Sequence, residues 1–414
     1  MAGAGSGVVI VGAARTPLGS FGGALSALSC TELGTAAIEG ALRSVKDRTT
    51  RETVVHEVKG HVEEAIMGNV LSAGLGQAPA RQAVLGAKLK PETCCTTVNK
   101  VCSSGLKAIT YAAQSIQLGD ASCVVAGGME SMSRVPYYLP MNRGEARYRM
   151  GDKQVWDGMI MDGLWDPYDN IHMGSCGEKC AQEFTISRKE QDDFSIESLR
   201  RALQAHRSGV FTSEIAPVQV KHGRKVVEVS EDESLMHLNE VNEEKIRSLK
   251  PAFDRKNGTI TAANASTISD GAAALVLMSE EKSEEINVLP LARIVGYADA
   301  EQEPVKFPTT PSKAIEKLMA KHPHLSLNDV SAFEINEAFA AVVIANMRLL
   351  GIPHDKVNQR GGACALGHPI GCSGARILVT LLSVLKEGEY GIATLCNGGG
   401  GATAVLVQKT NAAV

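Results

Sequence analysis

This chain repeats itself, and the repeat limits what it can fold into more than any single motif does. Val9-Ile10-Val11-Gly12 near the start has an echo in Arg293-Ile294-Val295-Gly296, each an apolar strand leading into a loop. Cys102-Ser103 has a counterpart in Cys372-Ser373, each opening a helical pattern, at an offset of about 270 residues. Gly127-Gly128, which read as following a strand over 123–126, are matched by Gly398-Gly399 at nearly the same offset. Strands alternating with helices predict α/β halves with largely parallel sheets, and the shared offset predicts that one half duplicates the other. With 414 residues, 44% of them apolar, the chain is long enough for both halves and their cores.

A stretch of different character, 129–254, separates the two. It carries Trp156 and Trp165, the Met-rich Gly158-Met159-Ile160-Met161 and charged runs such as Glu231-Asp232-Glu233. The expected organisation is therefore 1–128 as the first part of an N-terminal half, 129–254 as an insertion, 255–290 as the return of that half, and 291–414 as a C-terminal half. Residues 46–64 read as a charged surface elaboration without a chemical role.

Cys102 lies in Asn99-Lys100-Val101-Cys102-Ser103-Ser104-Gly105, ahead of Leu106, Ile109, Ala113 and Ile116 at helical spacing. That pattern puts the thiol at a helix N-terminus, where unpaired N–H groups and the dipole favour a thiolate. A fall in pKa from about 8.5 to about 7 raises the thiolate share at neutral pH from roughly 3% to roughly half. The alternative is a buried, inert cysteine. Two later segments favour chemistry. Gly361 to Pro369 sets His368 between a glycine-rich turn and a proline, a setting for a fixed loop, and Cys396 precedes a run of glycines after the strand-like Ile392 to Leu395. A nucleophile, an imidazole and a second thiol are the parts needed for covalent acyl transfer with proton abstraction.

Asn99 to Gly105, Asn336-Glu337-Ala338-Phe339, Gly361 to Arg376 and Cys396 to Gly401 together resemble the thiolases. The similarity runs in the family's order from Val8-Val9-Ile10 to Leu406-Val407, and it is to the mitochondrial-type short-chain branch. It implies the thiolase fold, an α/β arrangement of two duplicated halves in five layers, with the insertion as a loop domain. The early part of that domain would join subunits into a homotetramer, a dimer of dimers, and the later part would cover coenzyme A. The activity implied is reversible Claisen condensation of two acetyl-CoA to acetoacetyl-CoA and CoA. Cys102 would carry the acyl group after giving its proton to His368, and Cys396 would deprotonate the second acetyl group. His368 and a water on Asn336 would form one oxyanion site, the N–H groups of Cys102 and Gly398 the other. Glu337 would have a positioning role. His172, Met173, Phe253, Ser266, Phe307 and Phe339 match the coenzyme A wall, and Phe307-Pro308 adds 2-methylacetoacetyl-CoA to the expected substrates. Coenzyme A enters as substrate and product, with no tightly bound cofactor and no metal.

Three departures from the family pattern stand out. Arg360 puts a cation beside the His368 loop, where it would lower the pKa of a neighbouring thiol. Cys364 and Cys372 replace aliphatic residues and add oxidation liability. Leu199 stands where potassium-activated relatives carry a tyrosine, and it offers no oxygen, which leaves potassium activation doubtful.

Composition excludes other classes. A net charge of −4 and 4% aromatics argue against a nucleic-acid surface, and no apolar run approaches the length of about 18 residues that a membrane span needs. The ten cysteines read as free thiols of a reducing compartment. The short Gly/Ala lead before Val8 and the terminal Asn411-Ala412-Ala413-Val414 carry no presequence or peroxisomal signal, so cytoplasm is expected, with the mitochondrial matrix as the alternative for a processed form. Rival readings are a broad-range 3-ketoacyl-CoA thiolase, a non-catalytic acyl-CoA-binding relative, an acyl-carrier-protein condensing enzyme, disfavoured by Cys396, and a metal protein built on Cys176 and Cys180, which lack a second ligand pair.

Overall fold

The computed structural model describes residues 7–139, 150–236 and 238–410; the Asn411 to Val414 tail lies outside them. The elements that place the site are, in chain order, β1 (Val8–Arg15), α1 (Cys30–Arg43), β2 (Glu64–Gly68), β3 (Cys94–Val98), α2 (Ser104–Leu118), β4 (Cys123–Ser131), α3 (Met173–Glu183), α4 (Arg188–Arg207), β5 (Ser269–Ser279), β6 (Ala292–Glu301), α5 (Thr310–Ala320), β7 (Val330–Ile335), α6 (Ala340–Leu350), α7 (Ser373–Val384), β8 (Tyr390–Asn397) and β9 (Gly401–Lys409).

The two echoed strands are hydrogen-bonded to each other. β1 and β6 run antiparallel, with Val8 opposite Ile294 and Ile10 opposite Ala292, and each half-sheet grows outward from this seam in the order β7-β8-β9-β6-β1-β5-β4-β2-β3. The sheet is mixed rather than largely parallel. Only β7–β8, β4–β2 and β2–β3 are parallel, because each half closes by returning a strand, β5 or β9, antiparallel beside its first one.

Period-two alternation builds five layers. Val9 and Val11 of β1, with Ala274 and Val276 of β5, face a core shared with α1. Val8, Ile10, Leu275 and Leu277 face the opposite way, into a core that also takes Leu106, Ile109, Ala113 and Ile116 of α2, Ile377 and Leu381 of α7, and Val405 and Val407 of β9. Ala404 and Leu406 turn to a third core with α5 and α6. The helices α2 and α7 are thus buried between the half-sheets, which brings their N-terminal ends together. No helix among the described residues is long and apolar enough to cross a membrane.

Two further expectations are corrected. Gly127 and Gly128 lie inside β4, which continues to Ser131, and do not form a loop after it. A Cβ on Gly128 would sit 2.0 Å from the Gly371 carbonyl oxygen and 3.0 Å from the Gly105 Cα, so the glycine is there for close backbone approach. Gly128→Ala is expected to lower stability by about 3 kcal/mol, the upper range for overpacking, because backbone cannot yield as a side chain does. An unchanged denaturant midpoint would contradict this. Second, 46–64 is not only surface: Val58 and Val62 are buried in the α1 core, with Val54 and Val55 packed against it. The charges of that segment hid a spaced set of valines.

Candidate active site

Cys102 sits immediately before Ser103, the N-cap of α2. The turn before it is tightly determined. Val101 holds a left-handed φ of 46°, unusual for a β-branched residue and tolerated only where the surroundings fix it. Here Asn99 Oδ1 accepts from the Val101 N–H at 2.9 Å, and Ser104 Oγ donates to the Val101 carbonyl at 2.5 Å. Lys100 Nζ reaches across to Asp299 at 2.9 Å and Glu301 at 3.2 Å on β6, tying the turn to the other half.

Cys396 is the last residue but one of β8 and is buried. Ser103 Oγ donates to Asn397 Oδ1 at 2.8 Å, which joins the two cysteine segments. The N–H groups of Gly398 and of Cys102 itself favour the Cys102 thiolate, but burial outweighs them and pushes the thiol up to about 12. The expected shift toward 7 is therefore overturned: at this helix end desolvation exceeds the helix-terminus effect. Burial, then the neighbouring Cys102, pushes Cys396 well up too.

His368 follows Gly367, whose φ of 110° and whose missing Cβ, which would lie 2.1 Å from Ser269 Oγ, set the loop. The His368 N–H donates to the Thr267 carbonyl at 3.0 Å. His368 Nδ1 lies 2.5 Å from Ser373 Oγ, and that hydroxyl donates to the Pro369 carbonyl at 3.0 Å. With its one proton so used, Ser373 accepts from Nδ1–H, which leaves Nε2 as the basic nitrogen. Burial, with the Arg376 cation adding to it, depresses the imidazole to about 3, so it is neutral at physiological pH. Asn336 Nδ2 stands 3.5 Å from both ring nitrogens, and Asn336 Oδ1 is buried without a partner.

Glu337, next to Asn336, accepts from Ser198 Oγ at 2.8 Å, Asn358 Nδ2 at 2.9 Å and the Cys364 N–H at 2.9 Å. It thereby fastens α4 and the Gly361–Leu366 turn around the His368 loop.

The coenzyme A candidates gather on one side. Met173, Phe307, Phe339 and Cys396 share an apolar cluster with Phe253 packed against it. His172 stacks on Phe253 at 4.9 Å between centroids and caps α3 through Nδ1, while Phe253 meets Phe339 edge-on at 6.1 Å. Ser266 joins through its N–H, which donates to the Ala338 carbonyl at 3.0 Å. Beside Phe253 opens a cavity of about 570 Å³ lined by Ser175, Glu178, Lys179, Asp254 and Asn257.

Arg360 does not act on a thiol. Its guanidinium binds Ser383 Oγ and the Ser383 carbonyl, both at 2.6 Å, at the end of α7, where a cation is favoured. Cys372 is the buried N-cap of α7, and the half-buried Cys364 lies against the Glu337 carbonyl. Cys176 and Cys180 are buried along α3. Leu199 packs among Leu18, Ala202 and Leu366. Ser373, Thr267 and Arg376 are the site residues that sequence reasoning missed; Ser373 alone carried a signal, as a hydroxyl five residues after His368.

The family models "Thiolase, N-terminal domain" and "Thiolase, C-terminal domain" match residues 8–281 and 288–409. The chain is 52% identical over 405 residues to acetyl-CoA acetyltransferase 2 of Arabidopsis thaliana, covering 97% of this chain and 96% of that one. It is 51% identical over 403 residues to the mitochondrial acetyl-CoA acetyltransferase of Homo sapiens, covering 97% and 90%. Its fold matches the Acat5 thiolase from Ascaris suum, solved in complex with coenzyme A, with a TM-score of 0.89 at 42% identity over 97% of this chain and all of the other.

Proposed function

Because this chain belongs to the thiolase family, we propose that it is an acetyl-CoA acetyltransferase that joins two acetyl-CoA into acetoacetyl-CoA and CoA, and reverses the reaction when CoA is plentiful. The observation that carries this reading is that Cys102 and Cys396 are neighbours, joined through Ser103 and Asn397, while the loop bearing a neutral His368 packs through Gly371 against the start of α2.

Cys102 gives its proton to His368 Nε2 as its sulfur attacks the thioester carbon. The sulfur–carbon bond forms, CoA thiolate leaves with the proton from His368, and an acetyl-cysteine remains. A neutral thiol and a neutral imidazole need no charge separation until substrate arrives. Cys396 then gives its proton to His368 and, as a thiolate, takes a methyl proton from the second acetyl-CoA; the resulting enolate carbon attacks the Cys102 thioester and displaces the Cys102 thiolate, which takes the proton back from His368. The N–H groups of Cys102 and Gly398 serve the oxyanion on the acyl-enzyme, while His368 with Asn336 serves the enolate oxygen. The unpaired Asn336 Oδ1 suits an ordered water there.

The stacked His172 and Phe253, with Met173, Ser266, Phe307 and Phe339, wall the coenzyme A path, and segment 129–254 acts as the loop domain. Phe307 beside Cys396 leaves 2-methylacetoacetyl-CoA as a further substrate. Exposed Tyr137, Trp156, Met161, Trp165 and Tyr168 make the early insertion a surface for joining dimers into a tetramer. Ten free thiols suit a reducing compartment, cytosol or mitochondrial matrix. Leu199 gives no reason to expect potassium activation.

The test is consumption of acetoacetyl-CoA with added CoA, run beside 2-methyl and long-chain 3-ketoacyl-CoA. No turnover of acetoacetyl-CoA by folded, reduced protein would sink the reading; faster turnover of long chains would favour a broad-range thiolase. Asn336→Ala is expected to lower kcat roughly 10²–10³-fold, the usual loss for one oxyanion donor. A fall below about tenfold would remove Asn336 from that role.

A further inference from the structure

We infer that Glu130 is a positioning residue for this reaction: its carboxylate fastens the loop that carries His368 to the segment that bears on Cys102, and so fixes the separation of base and nucleophile. The inference rests on the acyl-transfer reading above.

Glu130 lies near the end of β4 and is fully buried. Its carboxylate accepts four N–H groups from two distant parts of the chain. Oε1 takes Asn69 Nδ2 at 2.8 Å and the Leu71 N–H at 3.2 Å; Oε2 takes the Val70 N–H at 3.0 Å and the Gly371 N–H at 3.0 Å. The first three belong to the turn after β2. That turn bears on the nucleophile segment: the Asn69 N–H donates to the Val98 carbonyl at 3.0 Å, and Val70 and Leu71 pack in a small cluster with Ile370 against which Val101 and Cys102 rest. Gly371 lies three residues after His368. It is held without slack, since a Cβ there would fall 2.6 Å from Glu130 Oε2, and its carbonyl lies against Gly105 in the first turn of α2. One carboxylate therefore sits where the nucleophile's support, the histidine loop and the α2 start meet.

Only an ionised carboxylate satisfies all four donors, because each oxygen takes two. A protonated acid or an amide turns a donor toward one of the pairs and loses it. The groups bearing on Glu130 are the Asp270 carboxylate, the Cys30 thiol from α1, Cys102 and Cys372, with His368 and Arg376 on the loop and helix either side of Gly371. Burial, offset by the backbone donors, raises its titration to about 7. Above that pH the charge is present and the link complete; below it, the link opens.

The experiment measures kcat and KM for acetoacetyl-CoA thiolysis against pH in wild type, Glu130→Gln and Glu130→Asp. Wild type is expected to show an acid limb in kcat with a midpoint of about 7. Glu130→Gln, neutral at every pH, should lose roughly 10²-fold in kcat, as a small misplacement of reacting groups does, keep KM within about twofold and lack that limb. Glu130→Asp should regain the limb and part of the rate. A Glu130→Gln kcat within about twofold of wild type, a retained limb, or a KM that rises in step with the loss overturns the inference. Should neither variant fold, the wild-type profile decides, since a kcat flat between pH 8 and 5.5 overturns it. Inactive wild type would count against the acyl-transfer reading instead.

Discussion

Cys396→Ala is expected to abolish formation and thiolysis of acetoacetyl-CoA, by roughly 10⁴-fold or more, while Cys102 still accepts an acetyl group from acetyl-CoA. Cys102→Ala is expected to lose both. The difference follows from position. Cys102 lies at the start of α2, where the N–H groups of Gly398 and Cys102 address its sulfur, and His368 offers Nε2 because Ser373 holds Nδ1. Cys396 is buried at the end of β8 among Met173, Phe307 and Phe339, where an acetyl methyl would be presented. Removing the second thiol leaves the first half-reaction its full set of groups. Removing the first leaves nothing for the acyl group to join. Rates of CoA release from acetyl-CoA and of acetoacetyl-CoA formation, measured separately, check this; equal loss of both in Cys396→Ala would make the two thiols a single unit rather than successive actors.

Arg15→Ala is expected to cost about 3–5 kcal/mol of stability, the range for removing one partner of a buried ion pair. Arg15 is fully buried; its Nε meets Glu214 at 2.6 Å, and its two terminal nitrogens take both Asp232 oxygens at 2.7 and 2.8 Å. Glu214 also accepts from Thr380 at 3.1 Å and Ser383 at 2.9 Å on α7, and Ser383 is held by Arg360. Alanine would leave two carboxylates buried with no countercharge and would remove the side-chain link between β1 and the Glu214 and Asp232 segments. Arg15→Met, similar in length, tests the same point, because lost packing alone would cost Arg15→Ala much more than Arg15→Met. Denaturant midpoints close to wild type for both variants would contradict the expectation.

What was legible in the sequence was what is local. The α2 pattern from Leu106 to Ile116 is buried as its spacing predicts, and the echo of β1 in β6 became the seam between the halves. The Cys102, His368 and Cys396 segments could be read because each pairs a reactive side chain with turn residues close in sequence. What failed depended on burial or on distant partners. The Cys102 pKa followed from desolvation by both halves, which no local window carries. Gly128 looked like a loop residue because its reason, the Gly371 carbonyl, lies far along the chain. Arg15 meets its partners 199 and 217 residues away, and Glu130 meets Gly371 at a separation of 241. The valines of 46–64 were hidden by neighbouring charge.

The proposed mechanism requires the acetyl group to rest on Cys102 before a carbon–carbon bond forms. Acid-quenched mass spectrometry after brief exposure to acetyl-CoA tests it most directly. One acetyl group per chain is expected, on the peptide containing Cys102, retained in Cys396→Ala and missing in Cys102→Ala. Acetylation of Cys396, or turnover with no acetyl on Cys102 under any quench, would contradict it.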